Sequence, residues 1–263
     1  MEAKIEAKME ANSRAIGKFD FNRHYKPTSC LVTGPEDDYF TAMALTTADD
    51  MIVAQTDRLF FLSNFEKKFG LWFPDTLIED VAMNNGFIYM LDSKTQRILC
   101  LDPKSNNIRA IRIPPECDQA SKFICDGNYI YVMGSKAIIL MDMRSEEYRR
   151  LKLFANAEYK FAGMTLLGDR VVTIERSTSN IWFCSYCGPD TVISLDRATC
   201  PSSLILDQNQ SLLVHDMGVL KAFERIENKW EYSRSVEEIN RNFSVDLSGR
   251  IICQDSVSVS VYE

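Results

Sequence analysis

Residues 78–114 read IEDVAMNNGFIYMLDSKTQRILCLDPKSNNIRAIRIP and contain four short apolar runs separated by turn residues. The first run ends before Asn84-Asn85-Gly86, which is a strong hairpin signal. Phe87–Leu91 is apolar and rich in strand-forming residues, and Ile98–Leu101 and Ile108–Ile113 follow it. We predict one four-stranded antiparallel sheet for this stretch. Such a sheet cannot bury both of its faces alone, so it needs neighbours of the same kind.

The same unit recurs along the chain about every forty residues. An apolar run preceded by turn residues occurs six times, centred on Ile52, Ile88, Ile130, Val172, Leu213 and Ile252. The steps between these centres are 36, 42, 42, 41 and 39 residues. This is the blade spacing of β-propellers. We therefore predict an all-β fold, a six-bladed β-propeller with four-stranded antiparallel blades.

The sixth blade has one strand too few in this pattern. Glu263 follows directly after its third strand, whereas Ile16–Asn22 (IGKFDFN) precedes the first blade and has no partner there. Phe19 and Phe21 alternate with polar residues, which is typical of a half-buried strand. We predict that this N-terminal strand joins the last blade and removes an unpaired edge. Residues 14–263 would then form a single propeller domain.

Residues 1–13, MEAKIEAKMEANS, have a different pattern. Met1, Ile5 and Met9 recur at helical spacing, flanked by glutamates on one side and lysines on the other. Intrinsic propensity favours a short helix here, although fewer than four turns are marginal alone. We predict a short N-terminal helix or a disordered lead-in. A helix could support oligomerisation or docking.

Composition narrows the class of protein. The 263 residues are 46% hydrophobic and carry a net charge of -7, which argues against avid nucleic-acid binding but leaves room for a local basic patch. No apolar run approaches the ~20 residues of a membrane span, and the charged first fifteen residues do not read as a secretory signal. The eight cysteines follow no framework spacing. We predict a cytoplasmic or nuclear protein without a membrane partner.

Motifs for catalysis or metal binding are weak. Cys184–Cys187 is the one CxxC pair, it lacks a second pair, and the two histidines, His24 and His215, lie in distant segments. No GxSxG elbow and no phosphate-binding GxxxxGK loop occurs. We predict no catalytic residue, no metal and no cofactor, and we predict that the chain is not an enzyme.

Propellers usually bind partners on the loops that join second to third strands and fourth strands to the next blade. The basic and aromatic residues predicted for this top rim are Arg58, Lys94, Arg97, Lys136, Tyr159, Lys160, Arg176 and Arg197. Acidic residues are interleaved with them and would repel phosphate, which favours a protein or peptide ligand over RNA. Trp72, Trp182 and Trp230 are predicted to pack between blades. We predict a non-enzymatic scaffold that binds a protein or peptide partner on its top face, with RNA as the alternative.

The segment Phe87–Asp102, FIYMLDSKTQRILCLD, resembles the NHL-type repeats of six-bladed propellers. Some NHL propellers follow a RING, a B-box and a coiled coil in tripartite-motif ubiquitin ligases, and some bind RNA on the loop-bearing face. The resemblance therefore implies a binding propeller, and residues 1–13 would suit the end of such a coiled coil. Gluconolactonase-like propellers are a second family to consider, and they imply a metal-dependent lactonase-like hydrolase.

Overall fold

The computed structural model describes residues 18–20, 22–23, 26–32, 39–46, 50–63, 66–153, 161–185, 190–227, 229–239, 242–246, 248–254 and 258–263. These residues form six four-stranded sheets, and in five of them the strands are ordered as in the chain. Each of those five sheets is thus a meander of consecutive hairpins. The prediction of a six-bladed β-propeller with four-stranded blades is confirmed.

The chain divides into two compact units, and the first contains blades one to three. Blade one consists of β2 (Phe40–Leu45), β3 (Asp50–Gln55), β4 (Arg58–Ser63) and β5 (Glu66–Trp72). Blade two consists of β6 (Ile78–Asn84), β7 (Phe87–Asp92), β8 (Arg97–Asp102) and β9 (Asn107–Arg112). Blade three consists of β10 (Lys122–Asp126), β11 (Tyr129–Met133), β12 (Ala137–Asp142) and β13 (Tyr148–Leu153).

The second unit contains blades four and five and most of blade six. Blade four consists of β14 (Phe161–Leu167), β15 (Arg170–Glu175), β16 (Asn180–Ser185) and β17 (Thr191–Ser194). Blade five consists of β18 (Pro201–Leu206), β19 (Leu212–Asp216), β20 (Val219–Ile226) and β21 (Lys229–Glu237). Blade six consists of β22 (Asn242–Val245), β23 (Ile251–Gln254), β24 (Ser258–Tyr262) and the N-terminal strand β1 (Pro27–Val32).

The turn at Asn85-Gly86 shows how sequence fixes the hairpins. Asn85 has φ 51° and Gly86 has φ 78°, and two successive positive φ values are what a type I′ turn requires. The turn pairs Asn84 with Phe87 and Met83 with Ile88. This register is the one that places the apolar residues of both strands on shared faces.

The central strands of blade two are apolar almost throughout because both faces of this sheet are covered. In β8, Ile98 is fully buried in a cluster shared by blades two and three, and the next residue, Leu99, packs against the cluster shared by blades one and two. Successive strand residues point to opposite faces. Runs such as Phe87–Asp92 therefore need apolar residues at consecutive positions rather than at alternate ones.

Aromatic side chains fill the core of the second unit. Phe223 is almost fully buried, and the rings of Phe183 and Trp230 stack with centroids 5.3 Å apart. Trp182 contacts Phe161 edge-on at 6.2 Å. Trp230 thus packs between blades four and five, as the sequence predicts, whereas the contact of Trp182 with Phe161 lies within blade four.

The last blade is completed by an N-terminal strand, but not by the predicted one. The strand is β1, Pro27–Val32, instead of Ile16–Asn22. Phe19 is only 2% exposed and packs in the core shared by blades five and six, and its N–H donates to Asp207 at 2.9 Å. The chain then turns, because Asn22 N–H bonds the Asp20 carboxylate. Proline is tolerated at the first position of an edge strand, which permits β1 to begin at Pro27.

Ile16, Phe21 and the helix predicted for residues 1–13 lie outside the described residues. Within the described part of the chain, no helix has the length and apolar character needed to cross a membrane.

Candidate functional site

A cleft of about 570 Å³ lies in the first unit, at the end of the strands where β7 turns into β8 and β9 leads to β10. One side is formed by residues of the β8–β9 hairpin and the other by the turn that contains a short 3₁₀ helix, Pro115–Cys117. The lining residues are Thr95, Gln96, Arg97, Ala110, Arg112, Ile113, Pro114, Pro115, Cys117 and Asp118. We refer to it as the hairpin cleft.

Two arginines stand side by side in this cleft. Arg97 is paired with Arg112 in the register of β8 and β9, so both side chains project from the same face of the sheet. The next pair, Ile98 and Ile111, is fully buried on the opposite face. Both arginines are exposed. Within the described residues, neither guanidinium takes part in a hydrogen bond or an ion pair.

Gln96 holds the hairpin side of the cleft to the turn. Its side-chain N–H donates to the Ser93 carbonyl at 2.8 Å, and its side-chain oxygen accepts the Ala120 N–H at 2.9 Å. Its own carbonyl accepts the Ile113 N–H at 3.3 Å. Gln96 has φ 52°, a conformation that costs free energy for a residue other than glycine unless its surroundings hold it.

A buried carboxylate shapes the loop between β7 and β8. Asp92 accepts hydrogen bonds from Leu77 N–H at 3.0 Å, Lys94 N–H at 3.1 Å and the Thr95 hydroxyl. Asp216, at the end of β19 in blade five, similarly accepts the N–H groups of Thr199 and Cys200. This acidic position at the end of a second strand therefore anchors the preceding interblade loop.

Gly134 packs against the turn that forms the other side of the hairpin cleft. A Cβ at this position would lie 2.6 Å from the Asp118 carbonyl oxygen and 2.8 Å from the Cys117 carbonyl carbon. The next residue, Ser135, donates its N–H to the same Asp118 oxygen at 2.8 Å. Cys117 is buried, and burial raises the pKa of its thiol to about 12, so the thiol is protonated at neutral pH.

An exposed tryptophan lies on the same end of the strands, in blade one. Trp72 is 66% exposed, and its indole N–H donates to Asp57 in the β3–β4 loop at 2.7 Å. The prediction that Trp72 packs between blades is wrong, because this hydrogen bond holds the ring at the end of an edge strand. Leu77, in the loop to blade two, is 38% exposed.

The structure distributes the predicted rim residues over two regions. In the first unit, Arg58 pairs with Asp57 at 3.4 Å, Lys94 with Asp75 at 3.7 Å and Lys136 with Asp118 at 3.3 Å, while Arg97 lines the hairpin cleft. In the second unit, Arg176 is exposed and the Arg197 guanidinium lies 4.6 Å from the centre of the Tyr232 ring. Tyr159 and Lys160 lie outside the described residues.

Sequence reasoning missed Arg112 and Gln96 as site residues. The sequence pattern places Arg112 in the fourth strand of blade two, and counting back from the turn between Asp102 and Asn107 places it opposite Arg97. Gln96 carries no motif, and its role follows from its contacts with Ser93 and Ala120.

Polar groups in the second unit are engaged with the protein itself. His215 is buried, with Nε2 2.7 Å from the Ile239 carbonyl oxygen and Nδ1 bonded to the Ser202 hydroxyl. Burial would raise the pKa of Asp216, but the Lys221 ammonium at 2.5 Å and two backbone N–H groups together hold it below its ordinary value. Among the described side chains, no three of the His, Cys, Asp and Glu type converge on a point where a metal could bind.

Comparisons with known proteins give the fold. Virginiamycin B lyase from Staphylococcus aureus matches with a TM-score of 0.69 and 11% identity, over 91% of this chain and 99% of the lyase. A streptogramin B lyase matches with a TM-score of 0.65 and 10% identity, over 91% and 97%. A structure titled as a nidogen/laminin complex matches with a TM-score of 0.63 and 12% identity, over 75% and 80%. The chain has the fold of these propellers.

No family model and no curated protein sequence matches the chain. The resemblance of Phe87–Asp102 to NHL-type repeats therefore stays a prediction. Matches at this level of identity establish the shared fold, and the reactions and partners of those proteins belong to them.

The comparisons contradict the prediction that the chain is not an enzyme. Solved structures that share its fold over about nine tenths of its length are lyases. The missing GxSxG and metal motifs were weak grounds for that prediction, because one fold can carry catalysis by different residues and can also carry no catalysis at all.

Proposed function

We propose that the propeller binds a peptide segment of a protein partner across the loop face of blades one to three. We define this loop face by Trp72, Leu77, Lys94, Arg97 and Arg112. The observation that carries the proposal is the exposed Trp72, held in place by Asp57 at the same end of the strands as a preformed cleft in the same unit.

Trp72 has the properties of an interface anchor. A tryptophan that is 66% exposed leaves a large apolar area in water, and tryptophan and arginine dominate the binding energy of protein interfaces. The hydrogen bond to Asp57 fixes the ring before binding. A fixed side chain loses less conformational entropy when a partner covers it.

The hairpin cleft offers a second, preformed contact. Gln96 ties its two sides together, and Pro114 and Pro115 have restricted backbone angles. A volume of about 570 Å³ lies in the range of pockets for small-molecule ligands, so the cleft has room for one or two side chains of an extended peptide. The nidogen/laminin complex supports the proposal at the level of the fold, since propellers of this kind occur in protein complexes.

The test uses peptides selected from a random-sequence display library on the immobilised protein. Replacing Trp72 by alanine is expected to weaken these peptides by about 30-fold, since a hot-spot aromatic contributes about 2 kcal/mol. Binding is measured by fluorescence anisotropy. The matched control is Tyr129→Ala, because Tyr129 is 45% exposed and lies at the opposite end of the strands in the same unit.

Selected peptides should bind the Tyr129→Ala variant as well as they bind the wild type. If they lose affinity for Tyr129→Ala instead, or bind Trp72→Ala without loss, the loop face of blades one to three is not the binding surface.

A further inference from the structure

We propose that the hairpin cleft is a carboxylate-binding subsite that takes an acidic side chain of the partner between Arg97 and Arg112. This inference rests on the proposed function, and it names the chemistry that the cleft would recognise. It starts from the direct pairing of the two arginines across β8 and β9.

Two like charges placed opposite each other on neighbouring strands destabilise a sheet. No group in the described part of the protein compensates the repulsion between Arg97 and Arg112, because neither guanidinium has a hydrogen bond or an ion pair there. A carboxylate between the two would remove the repulsion and accept up to four N–H bonds. Arginine presents such donors in a planar fork that matches a carboxylate bidentately.

Each acidic side chain near the cleft already forms a hydrogen bond or an ion pair with another group of the protein. Asp118 lines the cleft but pairs with Lys136 at 3.3 Å, and Asp75 pairs with Lys94. Glu116 accepts the Tyr148 hydroxyl at 2.8 Å, which is the main reason that its pKa lies below its ordinary value. Asp92 accepts two hydrogen bonds within its own loop and a third from Leu77 N–H in the preceding interblade loop. The protein thus neutralises its lysines here and leaves the two arginines for an external anion.

The local charge agrees with an acidic ligand. Residues 94–153 contain eleven Lys and Arg against seven Asp and Glu, whereas the whole chain carries a net charge of -7. This is an excess along the sequence of blades two and three, and at the cleft itself Arg97 and Arg112 carry the positive charge that would steer an acidic segment.

A peptide carboxylate fits the cleft better than the backbone of RNA does. A nucleic acid needs a continuous path of cations along its phosphates, and here Asp75, Asp118 and Glu116 interrupt any such path. A single acidic side chain needs only the arginine pair. The cleft offers these two cations within a short, bounded space.

The experiment compares fluorescein-labelled hexaglutamate with hexaglutamine by anisotropy. We expect the wild type to bind hexaglutamate at least about ten-fold more tightly, as charge-assisted bidentate bonds require. The double variant Arg97→Gln/Arg112→Gln should lose most of this preference. Arg176→Gln is the control for loss of a surface charge, because it removes one arginine charge from an exposed position in the other unit. Hexaglutamate binding should weaken as salt rises.

Folding of the variants is followed by thermal denaturation. Arg97→Gln is expected to melt at or above the wild-type temperature, since it removes a like-charge pair.

Equal affinity for both peptides, or the same loss with Arg176→Gln as with the double variant, would overturn the inference. Tighter binding of mixed-sequence single-stranded RNA than of hexaglutamate, lost in the double variant, would reassign the cleft to nucleic acid. Library peptides that lack acidic residues but still need Trp72 would leave the proposed function standing while this inference fails.

Discussion

Removal of residues 1–32 is expected to abolish the cooperative thermal unfolding of the propeller. The deletion takes away β1, the edge strand beside β24, and it takes away Phe19, which is buried among Leu213, Phe243 and Ile251. Loss of a buried phenylalanine alone costs roughly 3–5 kcal/mol. Because a domain has only about 5–15 kcal/mol of net stability, the loss of the strand in addition should leave no stable native state. Circular dichroism melting measures the outcome.

A pair of point variants separates the role of Phe19 from that of its segment. Phe19→Ala should lower the free energy of unfolding by roughly 3–5 kcal/mol. Lys18→Ala is its control, because Lys18 is the exposed neighbour of Phe19 and should change stability by less than about 0.5 kcal/mol. A peptide of residues 18–32 added to the truncated chain should restore part of the transition. A truncated chain that melts like the wild type would show that β1 and Phe19 do not hold the last blade.

Substitution of Gly134 is expected to have the second largest effect. An added Cβ would meet the backbone of Cys117 and Asp118 at 2.6–2.8 Å, and backbone atoms cannot rotate away as a side chain can. Gly134→Ala should lower the free energy of unfolding by about 2–3 kcal/mol and the melting temperature by roughly 5–10 °C. Gly134→Val should lower both further. The displaced turn carries one wall of the hairpin cleft, so peptide affinity should fall together with stability.

Gly70→Ala is the matched control for this substitution. Its Cβ would meet the Phe60 ring at 3.1 Å, and a ring can shift by a few tenths of an ångström. We expect a smaller loss of stability and unchanged peptide binding. A Gly134→Ala protein that melts within about 2 °C of the wild type would show that the turn tolerates the added methyl group.

The architecture could be predicted from the sequence because each blade repeats the same local signals. Turn residues such as Asn85-Gly86 and the apolar runs after them set the strand order, and their spacing sets the number of blades. The identity of the N-terminal strand could not be predicted. Phe19 reads as part of an alternating strand, and only its contacts in the core and the hydrogen bond to Asp207 show that it packs as a single inserted side chain.

The candidate site could be predicted only in part. The positions of the loops predict Lys94, Arg97 and Lys136 as rim residues. The sequence does not show which of these side chains forms an ion pair with an acidic residue of the protein itself. The pairs Lys94–Asp75 and Lys136–Asp118 depend on loop conformation. Trp72 could not be classified either, because its exposure follows from its bond to Asp57 and not from its residue type.

Hydrogen exchange of the protein with and without a library-selected peptide tests the central claim most directly, that the loop face of blades one to three is the binding surface. The account predicts that the peptide slows exchange in residues 92–98 and 112–120, which flank the hairpin cleft. It predicts no change at the opposite turns of the same blades, residues 84–87 and 127–129. Protection of those turns, or of residues 199–218 in the second unit, with residues 92–98 unchanged, would contradict it.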